Sequence, residues 1–527
     1  MCPCIETEPL PCGTVRDSSL FRISMRYSTC LAVLFTIINT PLHAQFLPPV
    51  NAETSVTLRP APFSERFSAS PSSPESDTSL SARLQFALDS TYDLTPSYDK
   101  HGVAASVIVP GYPQWTGAAG TSDDSNPMSP DLSFEIGSVT KTFITALILQ
   151  LRDEGKLSLT DSISKYLPSY PNVDSTITIE QLLDHSSGVY DYLNDDPATR
   201  LLDSAYSYNP GKHWTAAEIL ENFVGPPNFK PGHGYRYSNT DFLLLGQIAD
   251  SITKQPASVE IHRRFLTPLG LTHTLCSWYD SIPTNFPHNY SNYDPRINGS
   301  VDYYSINKTA QLSMANTAGG MVSIPAELAR WSQALYTGQL LGNTTTAQML
   351  NINSFHKMTD GIYYNLGTML IGTSYDYQYV FGHAGSMIGF ITIMATIPHD
   401  SVTVVVYVNS LTDTIIASNY LVSLLYQIEN PPKSGVAAGP SEAQGVKVYP
   451  NPVRGRTSIS FDQNTPGESV LTLYNELGNE VRSVADAANA PGPHQIVLES
   501  AGLADGAYYY RLQMPTFTKT GVLLVAQ

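Results

Sequence analysis

The spacing of apolar residues along this chain changes period several times, and each change predicts an element. From Val139 onward, Phe143, Ile144, Ala146, Leu147, Ile148, Leu149 and Leu151 recur at helical spacing with no Gly or Pro until Gly155. This predicts a buried helix with Gly137-Ser138 at its mouth. Phe242, Leu243, Leu244, Leu245, Ile248 and Ile252 form a second apolar helical face. Tyr237-Ser238-Asn239 then falls at a loop-to-helix junction, where a rigid scaffold can aim side chains into a cleft. Shorter helices are predicted over residues 81–88, over 179–187 with a stop at Gly188 and His185 near the end, and over 326–331 after a turn at 317–323.

Elsewhere the period is that of strands. Residues 103–109 and 114–120, joined by Pro110-Gly111, predict a β-hairpin. Residues 389–395 and 401–408 predict adjacent antiparallel strands, with His383-Ala384-Gly385 on or beside one of them. After Glu429 the pattern breaks into a Pro- and Gly-containing linker over 431–445. Short strands at 446–449, 457–461, 470–474, 495–498, 508–512 and 521–525 follow, a spacing that predicts a small β-sandwich with its own core.

Composition narrows the class. At 527 residues the chain is too long for one ordinary domain, and with 42% hydrophobic and 14% charged residues it is globular in character. A net charge of −17 with no basic cluster argues against a nucleic-acid partner. Met25-Arg26, the apolar run from Leu31 to Ile38 and the stretch Pro41-Leu42-His43-Ala44 predict a signal peptide over residues 1–44, with Met25 as an alternative start. The run is short for a bilayer span, so no transmembrane anchor is expected in the mature chain. Residues 45–80 read as a flexible leader. Of five cysteines, four lie in residues 1–44, which leaves Cys276 as a buried apolar residue and excludes a cysteine-rich metal site. Neither a metal nor a cofactor is expected.

Candidate chemistry centres on Ser138. Three residues on along a helix, Lys141 shares its face and is placed to bond the Ser138 hydroxyl. Helix N-termini favour an oxyanion, so the pair suits a nucleophilic serine activated by an amine. The spacing alone is common here: Ser97/Lys100, Ser162/Lys165, Ser251/Lys254, Ser305/Lys308 and Ser354/Lys357 repeat it. Only Ser138 follows a Gly at the start of a long apolar helix. His185 reads as structural, held by backbone groups of its own turn, and Asp161 and Asp184 as caps or solvated charges.

Taken in order, Ser138-x-x-Lys141, Tyr237-Ser238-Asn239 and His383-Ala384-Gly385 resemble the serine β-lactamase-like family of class C β-lactamases, DD-peptidases and related esterases. Leu182-Leu183-Asp184-His185-Ser186-Ser187-Gly188 and Gly319-Gly320-Met321-Val322-Ser323 share in the resemblance, which covers about residues 81–428. It implies an α/β (α+β) fold, with an antiparallel sheet flanked by helices and an all-α subdomain, over a hydrolase domain at 81–430. It implies Ser138, Lys141 and Tyr237 as the catalytic group, Asn239, His383 and Gly385 as substrate-binding, and the backbone N–H groups of Ser138 and Ser386 as the oxyanion hole. Whether Lys141 or Tyr237 takes the serine proton is left open. His383 stands where β-lactamases usually carry Lys. The implied substrate is a D-alanyl (peptidoglycan-type) peptide or D-amino amide. Alternatives are a small ester, a β-lactam, or a non-catalytic penicillin-binding surface module.

The tail carries a second resemblance. Val446-Lys447-Val448-Tyr449-Pro450-Asn451-Pro452, Leu473-Tyr474-Asn475-Glu476-Leu477-Gly478, residues 503–510 and Lys519 are similar to the C-terminal sorting domain of the type IX secretion system. It implies that residues 446–527 engage that machinery, and that the protein reaches the cell surface or medium through the periplasm with the tail removed.

Overall fold

The computed structural model describes residues 75–94, 102–123, 125–194, 209–291, 301–359, 362–373, 379–411 and 415–429 and, with interruptions, 446–525. The predicted signal peptide, most of the leader, the linker 431–445, Pro450-Asn451-Pro452 and Asn475-Glu476-Leu477-Gly478 lie outside the described residues. The chain divides into two compact units at Asn430 and Pro431.

The first unit is built on an eight-stranded antiparallel sheet. Its strands are β1 (Gly102–Ile108), β2 (Trp115–Gly120), β3 (His356–Thr359), β4 (Ile362–Asn365), β5 (Thr368–Thr373), β6 (Tyr379–Met387), β7 (Phe390–Ile397) and β8 (Val402–Val408), in spatial order β2-β1-β8-β7-β6-β5-β4-β3. The predicted hairpin is β1 and β2, paired from Gly102↔Gly120 to Val107↔Trp115. Central strand β8 reads Val-Thr-Val-Val-Val-Tyr-Val and is buried along its whole length, because both sheet faces are covered and branched side chains suit such a pleat.

On one face, α1 (Glu75–Leu94) and α7 (Ile415–Glu429) bring Leu84, Leu88, Tyr420 and Leu424 onto Val404 and Val406. The other face carries the larger core, with Tyr407 and Met394 beneath α2 (Thr140–Asp153) and α6 (Pro325–Tyr336). Phe143 of α2 stacks on Trp331 of α6 with ring centroids 3.7 Å apart. The Trp331 indole N–H donates to Thr142 Oγ1 at 2.9 Å, so the buried indole is satisfied and α2 is fixed in rotation.

Three helices differ from the sequence expectation. Order begins before residue 80, since α1 starts at Glu75. Helix α3 (Ile179–Leu183) stops short of the predicted end. Asp184 Oδ1 accepts the Ser186 N–H at 2.9 Å, and His185 takes a left-handed φ of 61°, so a side-chain turn has displaced the last helical turn. Ahead of and overlapping the predicted turn at 317–323 lies α5 (Thr309–Gly319), bent at Asn316 (φ 43°, ψ −135°), followed by a short strand Met321–Ser323. The second long apolar helix is α4 (Asn239–Thr253).

Among its described residues the second unit holds seven strands in two sheets: β9 (Lys447–Tyr449), β10 (Arg456–Gln463), β11 (Ser469–Tyr474), β12 (Glu480–Asp486), β13 (Gly492–Glu499), β14 (Gly506–Gln513) and β15 (Thr518–Val525). One sheet runs β9-β10-β13 and the other β12-β11-β14-β15. Ile459, Phe461, Leu471, Leu473, Ile496 and Leu512 share its core. Strand β12 is additional to the six predicted; its Glu-Val-Arg-Ser-Val-Ala-Asp sequence has the mixed polarity of an edge strand.

Candidate active site

Ser138 sits in a 3-10 turn, Gly137–Val139, that runs directly into α2. The turn presses on β6. A Cβ on Gly137, which has φ +53°, would lie 2.7 Å from Ser386 N. A Cβ on Gly385 would lie 2.0 Å from Ile136 O and 2.9 Å from Ser138 N. Both positions therefore exclude any side chain, and the closeness they permit brings the Ser138 and Ser386 backbones to one cleft.

Lys141, one turn into the helix, is fully buried. Its Nζ lies 3.1 Å from Ser138 Oγ, 2.7 Å from Asn239 Oδ1 and 2.6 Å from Ala318 O. Burial lowers its pKa to about 7, against the opposing pull of Asp191 and Asp241. At neutral pH much of it is then a free amine. Asn239 opens α4, and its Nδ2 donates to both carboxylate oxygens of Asp191 at 3.1 Å. Tyr237, two residues earlier, lies with its ring centroid 5.0 Å from Lys141 Nζ. Burial pushes its phenol well above the usual range, and interaction with the Ser138 hydroxyl opposes that push. Tyr237 is therefore a protonated phenol at neutral pH.

His383 is placed differently from Ser386. Its ring is fully buried, with Nδ1 2.6 Å from Ala384 O and Nε2 3.3 Å from the Tyr364 hydroxyl. A carbonyl only accepts, so Nδ1 carries the proton and Nε2 accepts from Tyr364. Burial, and then the charge of Lys141, lower His383 to about 3. A neutral imidazole behind the wall results, and at this level the cleft is lined by Ala384 and Ser386 instead. His383, expected to contact substrate, is thus buried and absent from the cleft lining given by the described residues, and Gly385 permits the close approach of the two backbones.

His185 was expected to bond backbone groups of its own turn, and its ring instead meets residues at the start of α4. Its Nδ1 is 2.7 Å from Asp241 Oδ2 and accepts the Ser238 N–H at 3.3 Å, and its carbonyl accepts the Arg236 N–H at 3.0 Å. Both backbone neighbours of Tyr237 are held, and the two rings pack with centroids 4.2 Å apart. Ser187 Oγ donates to Asp241 Oδ1 at 2.6 Å. Burial raises Asp241 and lowers His185. Three contributors were not found from the sequence: Asp191, Asp241 and the Ala318 carbonyl.

Apolar side chains make up much of the cleft wall, among them Leu193, Ala315, Met358, Met369 and Met387. Of the other Ser-x-x-Lys pairs, Lys165 instead bonds Asp161 on the surface at 2.9 Å. Away from the cleft, ligand atoms of His262, Cys276 and Asp280 lie within 4.8 Å of one another. Asp280 Oδ2 there already meets His262 Nε2 at 2.8 Å and the Cys276 N–H at 2.7 Å, and burial raises the Cys276 thiol.

Residues 82–423 match the Beta-lactamase family, and residues 447–525 match the Secretion system C-terminal sorting domain. The structure of a D-stereospecific amidohydrolase from Streptomyces sp. is similar to this chain at 27% identity and a TM-score of 0.55, covering 66% of this chain and 98% of that one. Protein flp of Staphylococcus aureus (strain COL) is 36% identical over 150 residues, 28% of each chain. A putative D-alanyl-D-alanine carboxypeptidase of Escherichia coli (strain K12) is 34% identical over 150 residues, 27% of this chain and 33% of that protein. The matched segment thus spans about a third or less of either curated relative. No described helix is long and apolar enough to cross a membrane.

Proposed function

The chain belongs to the Beta-lactamase family through residues 82–423, and on that premise we propose that it is a serine hydrolase working through an acyl-enzyme on D-amino amides or D-alanyl peptides. One observation carries the reading: Lys141 Nζ stands 3.1 Å from Ser138 Oγ with a pKa of about 7. A neutral amine accepts the hydroxyl proton as Ser138 Oγ forms its bond to the substrate carbonyl carbon. The Ser138 and Ser386 N–H groups receive the oxyanion. The proton then passes from Lys141 to the departing amine, and water hydrolyses the acyl-Ser138. Lys141 is favoured over Tyr237 as the base because burial disfavours a tyrosinate.

Among the substrates, an amide with an uncharged leaving group is favoured over a C-terminal D-alanine or a β-lactam. A neutral His383 offers no charge to a substrate carboxylate. The methionine-rich wall also suits an apolar acyl group, which keeps small esters as the second reading. Turnover of D-phenylalanine amide, its L-enantiomer, a D-Ala-D-Ala peptide, a nitrophenyl ester and a cephalosporin tests this. The D-amide should give the largest kcat/KM among the amides and peptides. Equal or faster turnover of the L-amide would overturn the stereochemical reading, and binding of labelled penicillin with no turnover of any substrate would favour a non-catalytic module.

The matched sorting domain implies export to the cell surface or beyond. In a host with type IX secretion, deleting the residues after Gln444 should strand the hydrolase in the periplasm, as read by fractionation. Unchanged export would show that the tail is dispensable.

A further inference from the structure

We propose that Asp191 is a positioning residue of this site: by holding the amide nitrogen of Asn239 it turns the amide oxygen to Lys141 and leaves the remaining face of that amine to Ser138. This rests on the acyl-enzyme reading above.

Asp191 is 1% exposed. Its oxygens accept Asn239 Nδ2, each at 3.1 Å, with the Leu193 N–H at 3.0 Å on Oδ1 and Asn194 Nδ2 at 2.5 Å on Oδ2. An ionised carboxylate accepts only, so the NH2 end of Asn239 must face it and the oxygen must face away. The oxygen then lies 2.7 Å from Lys141 Nζ. Ala318 O, 2.6 Å from the same nitrogen, is also an acceptor only. A neutral amine has two N–H bonds and one lone pair. Two acceptors take the two N–H groups, and the third neighbour, Ser138 Oγ, meets the lone pair. The O–H bond of Ser138 can break toward Nζ while the oxygen's electron pair forms the bond to carbon. Were the Asn239 amide reversed, its own N–H groups would compete for that lone pair.

The charge of Asp191 acts in a second way. It favours the ammonium form of Lys141, as does Asp241, while burial opposes both; among the described residues His185, His383 and Tyr237 also face Lys141. Removing one negative charge should therefore move the protonation of Lys141 to lower pH. A residue that merely supported the fold would not move it.

The test is the pH profile of p-nitrophenyl butyrate hydrolysis by the full chain, for the wild type, Asp191→Asn, Asn239→Ala and the double variant. Asp191→Asn should lower the plateau kcat/KM about tenfold or more through kcat, as loss of a buried carboxylate that orients a catalytic base does. Its acidic limb should shift down by about one pH unit. In the Asn239→Ala background the same substitution should change the plateau less than about twofold, because the two residues act as one unit. Should Asp191→Asn not melt cooperatively, Asp191→Ser carries the same readings. A plateau and limb unchanged in active Asp191→Asn, or a loss that adds fully to that of Asn239→Ala, would overturn the proposal while leaving the acyl-enzyme standing. A wild type that no acylating probe labels at Ser138 would overturn both, and would be seen before any variant is made.

Discussion

The Ser138→Ala protein is expected to lose hydrolysis on the order of 10^5–10^6-fold in kcat, the loss seen when the nucleophile of a concerted group is removed. Ser138 faces the cleft and its hydroxyl lies 3.1 Å from Lys141 Nζ and interacts with the Tyr237 phenol, so the substitution removes side-chain hydrogen bonds and opens no core cavity. The melting temperature should stay within about 4 °C of the wild type. Substrate should still bind, because the apolar wall and the two backbone donors remain. The combination of retained fold, retained binding and lost turnover separates a chemical role from a structural one. Initial rates, a thermal melt and product-inhibition measurements on the same preparation check it.

Lys141→Met is expected to lower kcat/KM by about 10^2–10^4-fold, the usual contribution of a positioned base. Met keeps most of the volume in a fully buried slot, but it strands Asn239 Oδ1 and Ala318 O without a donor, at about 1–3 kcal/mol each. Some loss of stability should therefore accompany the loss of rate. The wild-type profile supplies the sharper readout. If neutral Lys141 is the working form, kcat/KM rises with pH through about 7, since protonation below that value removes the acceptor for the Ser138 proton. His383 does not shape this limb, because at about 3 it titrates far below it. In Lys141→Met the limb near 7 should vanish together with the rate. A limb that persists unchanged in the variant would assign it to another group.

Much of this site was legible because its parts sit where strong periodicity begins or ends. The long apolar run of α2 places Ser138 at its mouth, that of α4 places Tyr237 and Asn239 at a junction, and the branched residues of β7 and β8 fix the strand beside His383. Gly137 and Gly385 were legible as small residues, but the reason for them, a backbone-to-backbone approach closer than any Cβ allows, is a three-dimensional fact. The Ala318 carbonyl has no side-chain chemistry to read. It is presented by α5, whose bend at Asn316 no local pattern announces.

Charge was the hardest quantity to read. Asp191 and Asp241 look like ordinary acidic residues in sequence, yet both are almost completely buried and face Asn239, His185 and Ser187. His383 looks like a polar group offered to a substrate, and burial makes it a neutral one held by Tyr364 and Ala384. Periodicity reports which face is covered. It does not report which polar groups meet beneath that cover, and those meetings set the protonation of this site.

The most direct measurement is intact-mass and peptide-level mass spectrometry of the protein after reaction with a fluorophosphonate. One adduct per chain is expected, carried by the peptide that contains Ser138 and absent from Ser138→Ala. An adduct on a different peptide, or an unmodified chain after exposure to fluorophosphonate, penicillin and activated ester alike, would contradict a nucleophilic Ser138.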